Sequence, residues 1–214
     1  TFGSDPAEII GLIAGGREAM FVAQEGAEDF ESNGKEALQE INLTPADLVC
    51  GLAASGRTPY VIGGLKYAQQ LDCRTIFVCT VPGDQVKVAC DFLIDIPVGP
   101  EVVMGSTRMK SATAQKMVLN MLTTGAMIRR GKVYENVMVD LMLTNKKLKE
   151  RSKRIIAMFT SLNYEQAGSL LKQAGGHVKT ALVMELAKVG RSRAQELLDQ
   201  QDGFVERAIE AAEA

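Results

Sequence analysis

Residues 47–59 read DLVCGLAASGRTP, and this stretch decides the fold. Its first eight residues are short, apolar and branched, which predicts a buried strand. The S-G-R-T-P that follows predicts a tight turn into a helix, with Thr58 as N-cap and Pro59 at the first helical position. Working outward, 8–14 (EIIGLIA), 74–81 (RTIFVCTV) and 91–98 (DFLIDIPV) repeat the strand texture, each bounded by Gly, Pro or Asp. Helical spacing lies between them, at 17–25, 29–40 and 58–70, with a short turn after Gly83. Strand, loop and helix in alternation predict an α/β fold: a parallel sheet with helices on both faces, in three layers.

Beyond Val98 the texture changes. Residues 108–130 predict one long helix with Gly125 as its weak spot, and 133–148 a second helix after Gly131. Residues 152–162, 164–174, 178–188 and 192–211 predict further helices, with no strand. The reading divides the chain into an α/β domain, 1–150, and a small helical subdomain, 151–214. The run KKLKERSKR (146–154) carries six positive charges and reads as a solvated helix end joining the two.

The bulk properties exclude several classes. With 214 residues, 46% of them hydrophobic and 23% charged, the chain can bury a core and is not a disordered or fibrous protein. A net charge of −2 gives no pull toward nucleic acid or an anionic membrane. The charge is unevenly placed, however. Residues 1–100 hold 6 Lys/Arg against 14 Asp/Glu and residues 101–214 hold 18 against 12, so an anionic ligand could sit between the halves. No apolar run reaches the ~18 residues of a membrane helix; the longest is 117–128. Four cysteines in apolar runs, without C-x-x-C spacing, read as reduced core thiols and predict a cytoplasmic protein. One histidine, His177, gives almost no support for a metal site, and beside Gly175-Gly176 it reads as a helix cap or a packed side chain. The ten methionines suit core filling or a subunit interface. The chain opens on Thr1, not methionine and in mid-pattern, and is expected to belong to something longer.

Three stretches could carry chemistry. In the first, Ser55, Gly56, Arg57 and Thr58 stand after a strand and open a helix. There a glycine lets backbone approach a ligand, and free amides and hydroxyls face an anion; a phosphate site and an ordinary capped turn are equally consistent with it. In the second, EGAED (25–29), three carboxylates crowd a loop. If buried, their repulsion would raise one pKa toward that of a general base; the competing reading has Glu28 and Asp29 capping the next helix in water. In the third, 99–113, Ser106, Arg108 and Lys110 gather at a helix start and suit a negatively charged ligand. A capped, solvated first turn would look similar, but Arg and Lys there oppose the helix dipole.

Together these stretches resemble one family, the N-acetylmuramic acid 6-phosphate etherases of the sugar isomerase (SIS) group. The matching blocks are GLIAGGREA (11–19), EGAED (25–29), GLAASGRTPYVIGGLKYA (51–68), GSTRMKSATAQKMVLNMLTTGAMIRRGKVYENVMVDL (105–141) and DGFVERAI (202–209). The resemblance implies a lyase-type reaction in cell-wall sugar recycling. A base takes the C2 proton of the open-chain aldehyde, D-lactate leaves from C3, and water adds to give N-acetylglucosamine 6-phosphate, with no metal or other cofactor. Glu28 falls on one of the family's two catalytic glutamates and is assigned to proton abstraction, which reverses the balance against water-facing capping. Ser55, Gly56 and Thr58 fall on the phosphate loop, with Arg57 beside them. Ser106, Arg108 and Lys110 fall on the other ligand-side loop. The second catalytic glutamate, with the first strand and glycine-rich loop of the SIS domain, falls upstream of Thr1, so the 214-residue chain alone is expected to be inactive. Thr80-Val81-Pro82 stands where the family has Cys-Asn-Pro, which removes an amide from the substrate side. The partners implied are a small sugar phosphate and a second copy of the chain, as a homodimer. A non-catalytic SIS regulator that binds sugar phosphates is the alternative, and an aldose–ketose isomerase is weaker because of the long GSTRMK block.

Overall fold

The computed structural model describes residues 2–143 and 145–213, and the chain forms two compact units. Residues 10–121 make the first. Its sheet has three parallel strands in the order β1-β2-β3: β1 (Leu48–Leu52), β2 (Arg74–Cys79) and β3 (Phe92–Asp95). The register runs from Leu48 opposite Arg74 to Leu52 opposite Val78, and from Ile76 opposite Phe92 to Cys79 opposite Asp95. As the middle strand, β2 is the most buried, with Thr75, Phe77, Val78 and Cys79 all inaccessible to solvent. Its register with β3 is held at one end by Asp91, whose carboxylate accepts from the Thr75 amide and hydroxyl (2.8 Å each) and from Arg74 (2.7 Å). The Thr75 hydroxyl, the Arg74 guanidinium and the Thr75 amide together pull the Asp91 carboxyl down to about 2.

Helix α2 (Pro59–Gln70) crosses between β1 and β2 and packs on both through Leu65, which joins Ala53 and Phe77 in the core. Helix α1 (Glu31–Glu40) packs in turn on α2. These two helices meet backbone to backbone. A Cβ on Gly34 would lie 1.8 Å from the Tyr60 carbonyl oxygen, and one on Gly63 would lie 2.0 Å from the Glu31 carbonyl oxygen. Only glycine fits at either position.

The second unit comprises 2–9 and 122–213. Its chain follows α3 (Lys110–Arg129) into a hairpin, β4 (Val133–Tyr134) and β5 (Val137–Met138). Helices α4 (Lys146–Phe159), α5 (Tyr164–Gln173), α6 (Val178–Leu186), α7 (Arg191–Gln200) and α8 (Val205–Glu213) then close around Ile156, Leu182, Leu197 and Val205. Strong caps punctuate them. Asn163 accepts from the amides of Glu165 and Gln166 while the Gln166 side chain accepts from the Asn163 amide, a complete capping box.

The parallel α/β sheet and the strands at 47–54, 74–81 and 91–98 match the sequence reading, and four expectations do not. Residues 8–14 form no strand; Ile9, Ile10, Leu12 and Ile13 are exposed, because a ladder needs a neighbouring strand and none pairs with this run among the described residues. Residues 17–25 form only a 3₁₀ turn, Arg17–Met20, between Gly15-Gly16 and Gly26, all at positive φ and too close together for a helix to nucleate. Residues 133–148 are not one helix. The hairpin occupies the first part, turning at Glu135 (φ 51°), and α4 begins only at Lys146, so the basic run opens a helix instead of ending one. The last helix is broken at Asp202 (φ 53°) and Gly203 (φ 78°), where the Gly203 amide returns to the Leu198 carbonyl.

Candidate functional site

In open parallel sheets ligands collect where the carboxyl ends of the strands feed their helices. The β1–α2 loop is such a place. The Ala53 amide donates to the Val78 carbonyl (3.1 Å), and the Gly56 amide turns back to the Ala53 carbonyl (3.0 Å). Gly56 has φ 70°, and a Cβ there would press on Val81 and Val86 at 3.2 and 3.3 Å. Ser55 and Arg57 are thereby pushed outward and are exposed, with the Arg57 amide donating to Ser55 Oγ (3.3 Å). Thr58 takes the N-cap position and Pro59 the first helical position, as the sequence predicts. The Thr58 hydroxyl makes no capping bond, which leaves it at the positive end of α2.

Glu28 stands beside this loop. Its carbonyl accepts from the Tyr60 amide (3.0 Å), one of the donors that the start of α2 leaves unsatisfied. The Asn33 side chain donates to the Ala27 carbonyl (3.1 Å), which holds the EGAED turn to the first turn of α1. The glycine contacts between α1 and α2 set the distance, so the EGAED turn and the Ser55–Thr58 loop are carried on one rigid pair of helices. Glu25, Glu28 and Asp29 are all exposed, so the burial needed for strong mutual repulsion is not met in the single chain.

The third stretch joins the first through Thr80. This residue is 7% exposed; its hydroxyl donates to the Ala54 carbonyl (3.0 Å) and lies 3.0 Å from Ser111 Oγ, in the first turn of α3. The Thr80 amide donates to the same carbonyl (3.0 Å). One side chain therefore ties the base of the Ser55–Thr58 loop to the start of α3. Neither Thr80 nor Ser111 stood out as a site residue in the sequence. The signal available was their position, Thr80 just past a buried strand and Ser111 inside the polar helix start.

Glu101 caps that helix. Its carboxylate accepts from the Lys110 and Ser111 amides (3.1 Å each), and those two amides hold its carboxyl below the ordinary range. The cap also answers the puzzle of cations at a helix N-terminus, because Glu101 supplies the negative charge that Arg108 and Lys110 do not. Ser106 Oγ accepts from the Arg108 amide (3.3 Å), and the Arg108 and Lys110 side chains are exposed. The two helix starts differ in consequence. That of α3 is occupied by the chain's own carboxylate, whereas that of α2 carries a neutral carbonyl and an uncommitted hydroxyl and can accept an anion.

The remaining candidates resolve simply. Cys73 and Cys79 are buried, Cys50 and Cys90 are partly buried, and all four are free thiols. Among the described residues no cluster of three His, Cys, Asp or Glu could hold a metal ion, and no helix is long and apolar enough to cross a membrane. His177 is exposed at the N-cap of α6 without a side-chain capping bond, so it neither caps nor packs as expected. Core filling describes few of the methionines: Met127 is buried, while Met104, Met109, Met117 and Met121 are among seven that are exposed.

The parallel α/β sheet, with its hydroxyl-bearing loop at a crossover helix, agrees with the SIS class. The profile of the glucokinase regulatory protein N-terminal SIS domain matches residues 2–69. Curated relatives extend the match over the whole chain. It is 54% identical over 214 residues to the N-acetylmuramic acid 6-phosphate etherase of Salinibacter ruber, covering 100% of this chain and 69% of the relative. It is 51% identical over 209 residues to the enzyme of that name in Lactobacillus acidophilus, covering 98% and 70%. The etherase of Escherichia coli O1:K1 / APEC is 50% identical over 210 residues, again covering 98% and 70%. The chain belongs to the N-acetylmuramic acid 6-phosphate etherase family.

Proposed function

We propose that this protein cleaves the D-lactyl ether of N-acetylmuramic acid 6-phosphate, giving N-acetylglucosamine 6-phosphate and D-lactate with the uptake of one water. The observation that carries the reading is the Tyr60 amide bond to the Glu28 carbonyl, which seats the proposed base beside the proposed phosphate loop. The 6-phosphate sits against the Ser55–Thr58 loop, where the Ser55 and Thr58 hydroxyls and the positive end of α2 face it, with Arg57 as a mobile counter-charge. Ser106, Arg108 and Lys110 contact the sugar or its phosphate from the start of α3. With the phosphate anchored, Glu28 takes the C2 proton of the open-chain aldehyde. The resulting charge spreads onto the C1 oxygen, lactate leaves from C3, and water adds back across the double bond. The protein works in the cytoplasm as a homodimer, which agrees with its free thiols and with the exposed Met117 and Met121 on α3. Residues 1–150 act as the SIS sugar-phosphate domain and 151–214 as a helical subdomain.

The test is D-lactate release from N-acetylmuramic acid 6-phosphate by the full-length protein in deuterium oxide. Lactate release with one deuteron at C2 of the product is the expected result. Tight sugar-phosphate binding without lactate release or C2 exchange would overturn the etherase and favour a non-catalytic SIS regulator.

A further inference from the structure

The helical unit holds a cavity of about 680 Å³ where the end of α3 meets the α7–α8 turn. Between its lining residues, Gly131 and Gly203 bring the two segments together. Gly131 has φ 66°, and a Cβ on it would lie 2.9 Å from the Gly203 carbonyl carbon, so the two backbones touch. Around this contact stand Arg129, Arg130, Lys132 and Arg207, with Phe204 and Ile128 as the apolar part of the lining. Asp202 is the one acid in that lining.

The four cations are not equivalent. Arg130 is gripped by Glu8 through two contacts of 2.9 Å. Lys132 donates to the Phe2 carbonyl (2.9 Å) and lies 3.3 Å from Asp140. Arg129 and Arg207 have no carboxylate partner among the described residues. The dipole of α3 accounts for Arg129 in its last turn. It does not account for Arg207, which lies in the first turn of α8, where a positive charge is disfavoured. The Arg207 guanidinium is instead held over the Phe204 ring at 4.2 Å, which stiffens it beside the cavity.

We propose that this cavity is a second anion site, distinct from the Ser55–Thr58 loop, that takes a small phosphate monoester. Arg129 and Arg207 bring two guanidinium forks from two different helix ends to the lining of one cavity, and the guanidinium is the group suited to phosphate oxygens. Lys132 and Arg130 add positive potential while remaining tied to their own partners. A volume of about 680 Å³ exceeds the needs of a bare phosphate, and Phe204 and Ile128 offer apolar contact to the esterified group.

The experiment is calorimetric titration at low ionic strength with inorganic phosphate and with phenyl phosphate. It uses protein carrying Ser55→Ala and Thr58→Ala, so that the loop site does not contribute. Phosphate should still bind, and adding Arg129→Gln with Arg207→Gln should weaken it at least tenfold, while Arg129→Lys with Arg207→Lys gives an intermediate loss. Tighter binding of phenyl phosphate assigns an ester; equal binding assigns free phosphate at the same site. Phosphate affinity unchanged by the double Gln variant, or matched by chloride at the same concentration, would overturn the site. Of the four side chains changed, Ser55, Arg129 and Arg207 are exposed and Thr58 is partly exposed, and an unchanged thermal transition verifies folding in each variant.

Discussion

Thr80 Oγ1 lies 3.0 Å from both the Ala54 carbonyl oxygen and Ser111 Oγ, so a single buried hydroxyl joins the two loops that hold the proposed ligand. Thr80 thus braces the site from below. Thr80→Val keeps the shape and removes the bond, leaving the buried Ser111 hydroxyl short of a partner. A loss of about 1–2 kcal/mol is expected in urea unfolding, together with a raised KM for the sugar phosphate and a smaller change in kcat. Thr80→Ser should recover most of both. A Thr80→Val protein with unchanged stability and KM would show that the bridge has no role.

Glu28→Gln tests the base. The side chain is exposed, and its structural bond is made by the main-chain carbonyl to the Tyr60 amide, so the substitution leaves folding intact. Proton exchange at C2 and lactate release should fall by roughly 10²–10⁴. C2 exchange at the native rate would remove Glu28 from the reaction.

Much of this was legible in the residues. The three paired strands, the Thr58-Pro59 helix start and the placement of Ser55 through Thr58 follow from local chemistry: branched apolar runs, a proline-marked helix start and a glycine turn. What was not legible depends on partners distant in sequence. Apolar content could not tell whether 8–14 would find a neighbouring strand. Val133–Met138 is too short a stretch for its period-two pattern to stand out against the helices on either side. The Glu101 cap spans nine residues, and the Thr80–Ser111 bond joins residues 31 apart, so neither could be seen in any one window.

The glycines of the α1–α2 contact give a prediction about site geometry as well as stability. Gly63→Ala would put a Cβ 2.0 Å from the Glu31 carbonyl oxygen, and backbone cannot yield there without parting the helices. A destabilisation of about 3 kcal/mol is expected from overpacking. Since α1 follows directly from the EGAED turn, surviving folded protein should also lose Glu28 activity. Gly64→Ala is the control, because its nearest contact is the flexible end of Leu38 at 3.4 Å. Equal melting temperatures for the two variants would refute the argument.

Asp91 sets how the sheet responds to acid. Its carboxyl is drawn to about 2 in the folded protein by Thr75 and Arg74, below the roughly 3.9 expected of an unfolded aspartate. The unfolded chain therefore takes up a proton before the folded one does. The stabilisation is complete above pH ~4 and is lost as pH falls from there through about 2. Asp91→Asn removes the charge that Arg74 and both Thr75 donors are arranged around, and its stability should lie below that of the unsubstituted protein at pH 7. The gap should narrow as both are titrated toward pH 2, where the native carboxyl protonates as well. Thermal unfolding of the pair across that window measures it directly. A gap of constant size from pH 7 to pH 2 would mean that the hydrogen bonds to Thr75 hold the β2–β3 register whatever the charge on Asp91.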